Sequence, residues 1–339
     1  MKDHTWPYRS ETPHFSTVPF NSPSQKTQNR ASNRVRIRHF QQSISPSSST
    51  NSAHRDFSLL PNDVLTRIAA NFSLPDLQTA SLVCRSWSDG LRPLREAMLF
   101  VWWGKRLKHS RGGVKRDVDK ALDSFLKGVA RGSTLAMVDA GLIYWDIGKK
   151  EEGVDLYRRA AELGDPAGQC NLGISYLQAE LPNLEEAVKW FRRASSAGYV
   201  RAQYQLALCL HRGSGTDQNL SEAAKWYLRA AKGGYARAMY NSSLCYSLGV
   251  GLLQSHRQAR KWMKRAADHG HSKALFEHGL ALFSEGEMMK AAVYLELATR
   301  AGESAAAHVK NVVFQQLSPS SRQRALDLAD NWRALPSLR

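Results

Sequence analysis

The 339-residue chain is short of acids and of cysteine. Thirty Asp and Glu stand against 47 Lys and Arg, for a formal charge of +17. Its four cysteines are Cys84, Cys170, Cys209 and Cys245, and none lies in a CxxC pair. That argues against a disulfide framework and for a reducing compartment, the cytoplasm or nucleus. The 11 histidines show no ligand spacing. His269 and His271 straddle a glycine and read as surface residues rather than a metal pair. No apolar run reaches the ~18 residues of a membrane span, and no secretory h-region opens the chain. P-loop, GxSxG, HExxH and Rossmann fingerprints are all absent, so neither catalysis nor a cofactor is expected.

The excess charge is unevenly spread. Residues 1–55 hold eight Lys/Arg and two acids, a charge of +6. Residues 56–100 come to −1, and the remainder to +12. Residues 1–55 are rich in Ser, Thr, Pro, Asn, Gln and Arg and hold too little apolar area to offset chain entropy, so a disordered tail is expected. Its acid-poor, Ser/Arg-rich character also fits an organelle transit peptide, against which stand Asp3 and the lack of an amphipathic opening. Arg34, Arg36 and Arg38 fit a weak nuclear signal.

What the chain has in abundance is repetition. A shift of 36 places Tyr199, Arg201, Ala202, Tyr204 and Cys209 on Tyr235, Arg237, Ala238, Tyr240 and Cys245. The same shift places Gly213, Gly215, Trp226, Arg229 and Gly234 on Gly249, Gly251, Trp262, Arg265 and Gly270. A period of this length means stacked units that cannot bury their apolar faces singly. Ala223, Trp226, Tyr227, Ala230 and Ala231 form one helical stripe, and Ala202, Leu206 and Leu210 form another, so each unit is a helical hairpin. The Trp-Tyr pair is expected to fill the space between its two helices. A closing glycine recurs as Gly132, Gly164, Gly198, Gly234, Gly270 and Gly302, where it suits the left-handed end of a helix.

These residues resemble the Sel-one-like repeat, a variant of the tetratricopeptide repeat. Leu172-Gly173, Tyr176, Ala187, Trp190, Phe191, Ala194 and Gly198 match its pattern again. Ala207 and Ser243 depart from it where a first-helix glycine is usual, and the last unit has Tyr294-Leu295 in place of Trp-Tyr. The resemblance implies an all-α chain with a right-handed α-solenoid that binds other proteins. About six repeats are expected, over 96–132, 133–164, 165–198, 199–234, 235–270 and 271–302, with capping helices in 304–339. Leu99, Phe100, Trp102, Trp103 and Leu107 read as packing residues of the first.

Between tail and repeats lies DFSLLPNDVLTRIAANFSLPDLQTASLVCRSW, residues 56–87. Pro61 opens one helix, and Ser73-Leu74-Pro75 ends it and starts a second. Three short helices in about forty residues cannot form a deep core alone, so one face is expected against a partner. Leu60, Pro61, Val64, Leu65, Ile68, Leu74, Leu77, Val83, Cys84 and Trp87 resemble the F-box, which spans 56–95 here. The resemblance implies that these ten residues dock on a Skp-type adaptor and, through it, a cullin. The chain would then be the non-catalytic, substrate-selecting subunit of a ubiquitin ligase.

Three readings follow for function. The first is that ligase subunit with an unidentified protein substrate. The second is an F-box scaffold acting outside a ligase. The third is a basic solenoid on nucleic acid, disfavoured because no nucleic-acid-reading motif accompanies the charge. No membrane partner is expected. For the substrate, helical spacing groups Arg201, Gln205, Arg237, Asn241 and Lys273 on one face of the first helices, which the resemblance places in the groove, a patch suited to acidic or polar segments. The columns reading Asp139, Asn171, Gln205, Asn241, Glu277 and Ser175, Cys209, Cys245 share that side. A second basic column, Lys127, Arg159, Arg193, Arg229 and Arg265, falls on the second helices.

Overall fold

A computed structural model describes residues 60–70, 72–110 and 112–335. The tail expected to be disordered, 1–55, lies outside the described residues, as do 56–59 and 336–339. Pro61–Arg339 forms one compact unit. Among the described residues there are seventeen α-helices and no strand, the all-α class expected.

Three short helices come first, α1 (Asn62–Ala69), α2 (Leu74–Ala80) and α3 (Arg85–Gly90). Ser73 caps α2 in a reciprocal box, accepting from the Asp76 amide while its own amide donates to the Asp76 carboxylate. Six hairpins follow, and after them two closing helices, the second of which packs on the sixth hairpin rather than on the first closing helix. The hairpins are α4 (Arg92–His109) with α5 (Val118–Val129), α6 (Thr134–Asp146) with α7 (Lys150–Glu162), and α8 (Pro166–Gln178) with α9 (Leu184–Ser196). Next come α10 (Val200–Arg212) with α11 (Leu220–Lys232), α12 (Ala236–Leu248) with α13 (His256–Asp268), and α14 (Ser272–Ser284) with α15 (Met288–Arg300). The closing helices are α16 (Ser304–Gln316) and α17 (Pro319–Asn331). Each second helix also packs on the first helix of the next pair, which makes the stack a solenoid.

The hairpins close because an aromatic or leucine side chain of the second helix lies flat against a glycine of the first. Phe125 covers Gly104, Tyr157 covers Gly141, Phe191 covers Gly173 and Leu295 covers Gly279. A Cβ on Gly141 would stand 2.6 Å from the Tyr157 ring. At the two departures the partner differs. Ala207 takes the glycine's place in the hairpin of Tyr227, and Ser243 sits 3.9 Å from the flexible Met263 side chain. The Trp-Tyr pair thus divides its labour. Phe191 and Tyr227 are buried between helices, whereas Trp190 and Trp226 lie half-exposed at the outer edge. Trp262 alone of the three tryptophans is buried, at 6 % exposure.

Two glycine columns set the joints. The closing glycines all have φ between 81° and 86°, the left-handed conformation their position requires. Gly215 and Gly251, at φ 70° and 72°, have a second constraint: they rest on the backbone at the start of the preceding second helix, Leu184 and Leu220. Units with a shortened mid-loop have Gly148 and Gly286 instead, with nothing within 4 Å of a notional Cβ.

Gly251→Ala should therefore destabilise the fold well beyond the roughly 1–2 kcal/mol of left-handed strain alone. Gly286→Ala should show only that strain; equal melting temperatures for the two variants would contradict the packed-loop geometry. Trp262→Ala should cost about 3–5 kcal/mol and Trp226→Ala less, read by thermal melting in circular dichroism.

Candidate functional site

The first candidate surface is built by α1 to α3. Their inner side forms a small core of Leu65, Ala69, Leu77, Leu91 and Leu94, with Phe72, Ala80, Trp87 and Met98 packed on it. Leu94 and Met98 belong to α4, so this core is shared with the first hairpin. Only Leu91 separates α3 from α4, and a buried hydrogen bond of 3.0 Å from Thr134 Oγ1 to the Ala70 carbonyl adds a tie to α6. Arg95 on α4 donates to Ser81 Oγ after α2. The partner face that short helices need is thus supplied on one side by the chain itself.

That placement corrects two of the ten expected adaptor contacts. Leu65 and Leu77 are 2 % and 1 % exposed and are core residues. Leu74, Cys84 and Trp87 are half-buried; Cys84 Sγ accepts from the Trp87 amide and caps α3. Pro61, Val64, Ile68 and Val83 are exposed, Ile68 at 54 % and Val83 at 58 %. Leu60 is the first described residue and directly precedes Pro61. Leu82, which the sequence pattern did not single out, is exposed beside Val83. Val64 and Ile68 are one turn apart on α1, so they share an outward face. Five apolar side chains open to solvent on so small a body form a surface of the kind that marks an interaction site.

The second candidate surface is the groove. Arg237 and Lys273 are exposed, Arg201 and Gln205 half-buried, and Asn241 buried. Asn241 is therefore not a surface contact: its amide reaches the hydroxyls of Tyr204 and Tyr227. Asn171, in the same column, is buried as well. The buried Asn171 Oδ1 finds no hydrogen-bond partner among the described residues, whereas Asn241 meets tyrosines of the solenoid interior. Glu277 continues this pattern, accepting from the Tyr240 hydroxyl at 2.6 Å, and burial lifts its carboxyl above the ordinary range. His271 stacks on Tyr240 with ring centroids 4.7 Å apart. Burial, then Arg237 and Lys273, hold its imidazole down to about 4. Burial also pushes Cys209 and Cys245 up to about 11, so these groove-side thiols stay protonated near neutrality.

Leu99, Trp102 and Trp103, expected to pack, are instead exposed on α4, with Arg106 stacked over both indoles. On the second helices Arg193, Arg229 and Arg265 lie over Trp190, Trp226 and Trp262 at 4.6, 4.6 and 4.8 Å. The recurring Trp-x-x-Arg, one helical turn apart, is the sequence signal for this ladder. Among the described residues no group of three or more His, Cys, Asp or Glu gathers for a metal, and no helix is long and apolar enough to cross a membrane.

Comparison with known proteins accounts for both surfaces. The F-box domain model matches residues 57–92, and the Sel1 repeat model matches 103–132, 140–165, 166–199, 200–235 and 236–271. An F-box protein of Arabidopsis thaliana is 61 % identical over 356 residues, covering 100 % of both chains. Among solved structures, the protective antigen c5321 of uropathogenic Escherichia coli, which has an SLR fold, aligns at TM-score 0.59 and 20 % identity. It covers 80 % of this chain, which spans 63 % of that one. A Sel1 repeat protein from Oxalobacter formigenes aligns at TM-score 0.53 and 21 % identity, over 69 % of this chain and 96 % of that one. The two likenesses concern the repeat fold alone. The plant relative, alike over its whole length, and the F-box and Sel1 repeat matches show that the chain belongs to the F-box proteins, as a member carrying Sel1 repeats.

Proposed function

We propose that this protein is the substrate-selecting subunit of a Skp–cullin–F-box ubiquitin ligase. The observation that carries the reading is the outward apolar face of Pro61, Val64, Ile68, Leu82 and Val83 on a body already anchored from behind. A buried inner face and an open apolar outer face are what docking on a Skp-type adaptor requires. The solenoid then presents the substrate, with Arg201, Gln205, Arg237 and Lys273 as the groove contacts for polar segments. Ubiquitin transfer belongs to the partners recruited through the cullin.

Ile68→Glu with Val83→Glu should abolish pull-down of the adaptor and cullin while the melting temperature holds, since both side chains are solvent-exposed. Interface anchors commonly cost more than about 2 kcal/mol each on truncation, enough to lose a pull-down. Retained binding at wild-type yield would refute the docking face. Arg201→Glu with Arg237→Glu should deplete the proteins that proximity labelling recovers under proteasome inhibition. An unchanged set would remove the groove from the reading.

A further inference from the structure

The second helices of the fourth and fifth hairpins have a charge that no acid among the described residues answers. Lys225, Arg229 and Lys232 follow one stripe of α11, and Arg257, Lys261 and Arg265 follow one stripe of α13. All six are exposed. None has an ion-pair partner among the described residues, although many other exposed cations of the chain do. Each helix has a single acid, and both are engaged elsewhere. Glu222 accepts from the Trp226 indole at 3.3 Å and pairs with Arg192 at 3.6 Å. Asp268 pairs with Lys264 at 2.6 Å and accepts from Tyr294 at 2.8 Å.

Two of these cations are held in place. Arg229 and Arg265 lie flat on Trp226 and Trp262, so less side-chain freedom remains to be lost when an anion binds. Both helices pack on α12. Where α11, α12 and α13 meet there is a cavity of about 370 Å³. Lys232 and Arg265 stand at it, and Ala231, Met239 and Leu335 supply an apolar lining. His269, also at the cavity, keeps a buried Nδ1 without a hydrogen-bond partner. Two free cations, an apolar lining and an unanswered polar atom converge at one end of the basic face.

We propose that this face is a docking surface for an acidic, extended segment of a partner protein, one apolar side chain of which enters the cavity beside Lys232 and Arg265. The occupant is not the chain's own residues 1–55, which have eight basic residues and two acids, nor a second copy, since each copy has a charge of +17. Nucleic acid fits less well. Sequence-tolerant single-strand binding uses open aromatic faces for base stacking, and here the arginines cover the indoles. An extended peptide spans about 3.3 Å per residue, so roughly six residues would reach from one helix to the other, whose axes are two packing distances of about 10 Å apart at most. The proposal stands whether or not the F-box recruits a ligase, and it concerns a different surface from the groove.

The test is fluorescence anisotropy with the full-length protein and three labelled probes. These are a Glu/Asp-rich peptide of about fifteen residues with one central leucine, a Ser/Gly peptide of equal length, and a single-stranded RNA of similar charge. The acidic peptide should bind, the Ser/Gly peptide should not, and added salt should weaken the complex because the cations are exposed. Lys225→Glu with Lys261→Glu should lower the affinity roughly tenfold or more. Lys115→Glu with Lys149→Glu, an equal change of net charge on exposed residues outside both candidate surfaces, should leave it within about twofold. Replacing the central leucine by serine should weaken binding to the wild type as well. Equal losses in the two variants would mean that net charge alone attracts the peptide. Loss only in the Lys115/Lys149 variant would put the peptide elsewhere on the chain. Tighter binding of RNA, abolished by the α11–α13 variant, would make the face a nucleic-acid surface. Any of these, or no binding of the acidic peptide, overturns the proposal.

Discussion

The contact between a second-helix ring and the bare backbone of the first helix governs the solenoid. Phe125, Tyr157 and Phe191 each lie where a Cβ on the opposing glycine would collide with the ring. The two helices of a hairpin can then approach closely, and interior packing density is reached with one large side chain per joint. The same ring sets what comes next along the stack. Tyr227 reaches beyond its own hairpin to Asn241 on α12, so the polar column of the first helices is an internal feature of the joint between units. Helices α6 to α17 all have thirteen residues, which keeps this contact in phase from one hairpin to the next.

The F-box is too small to close a core and borrows one. Its inner residues Leu65 and Leu77 meet Leu94 and Met98 of α4, which is at once the fourth helix of that core and the first helix of the repeats. Residues that look alike in the motif therefore do opposite things. Leu65 stabilises the body, while its neighbour Val64 faces solvent.

Much of this architecture was legible in the sequence. The hairpin count, the stripes of small residues and the closing glycines all follow from repetition at fixed phase, which averages out local ambiguity. Sidedness was harder. On an eight-residue helix, adjacent Val64 and Leu65 fit an apolar stripe equally well, and only the position of α4 decides between them. Asn241 was assigned outward because polar residues are mostly exposed; a tyrosine hydroxyl arriving from the preceding hairpin reverses that. Leu99, Trp102 and Trp103 were assigned inward for the converse reason, since large apolar side chains are usually buried. The arginine ladder needed no tertiary information, because Trp-x-x-Arg places the two groups one turn apart on any helix.

The shared core at α4 has a metric consequence. With no pliable linker between the F-box helices and the stack, each hairpin stands at a set distance from the outward face of α1. That distance is set by how many hairpins lie between. The chain is in effect a graduated rod, on which the serial number of a hairpin encodes how far anything bound there is held from whatever grips the other end. Deleting an internal hairpin would leave both end surfaces chemically intact and still change the outcome, by bringing the wrong stretch of the bound molecule within reach.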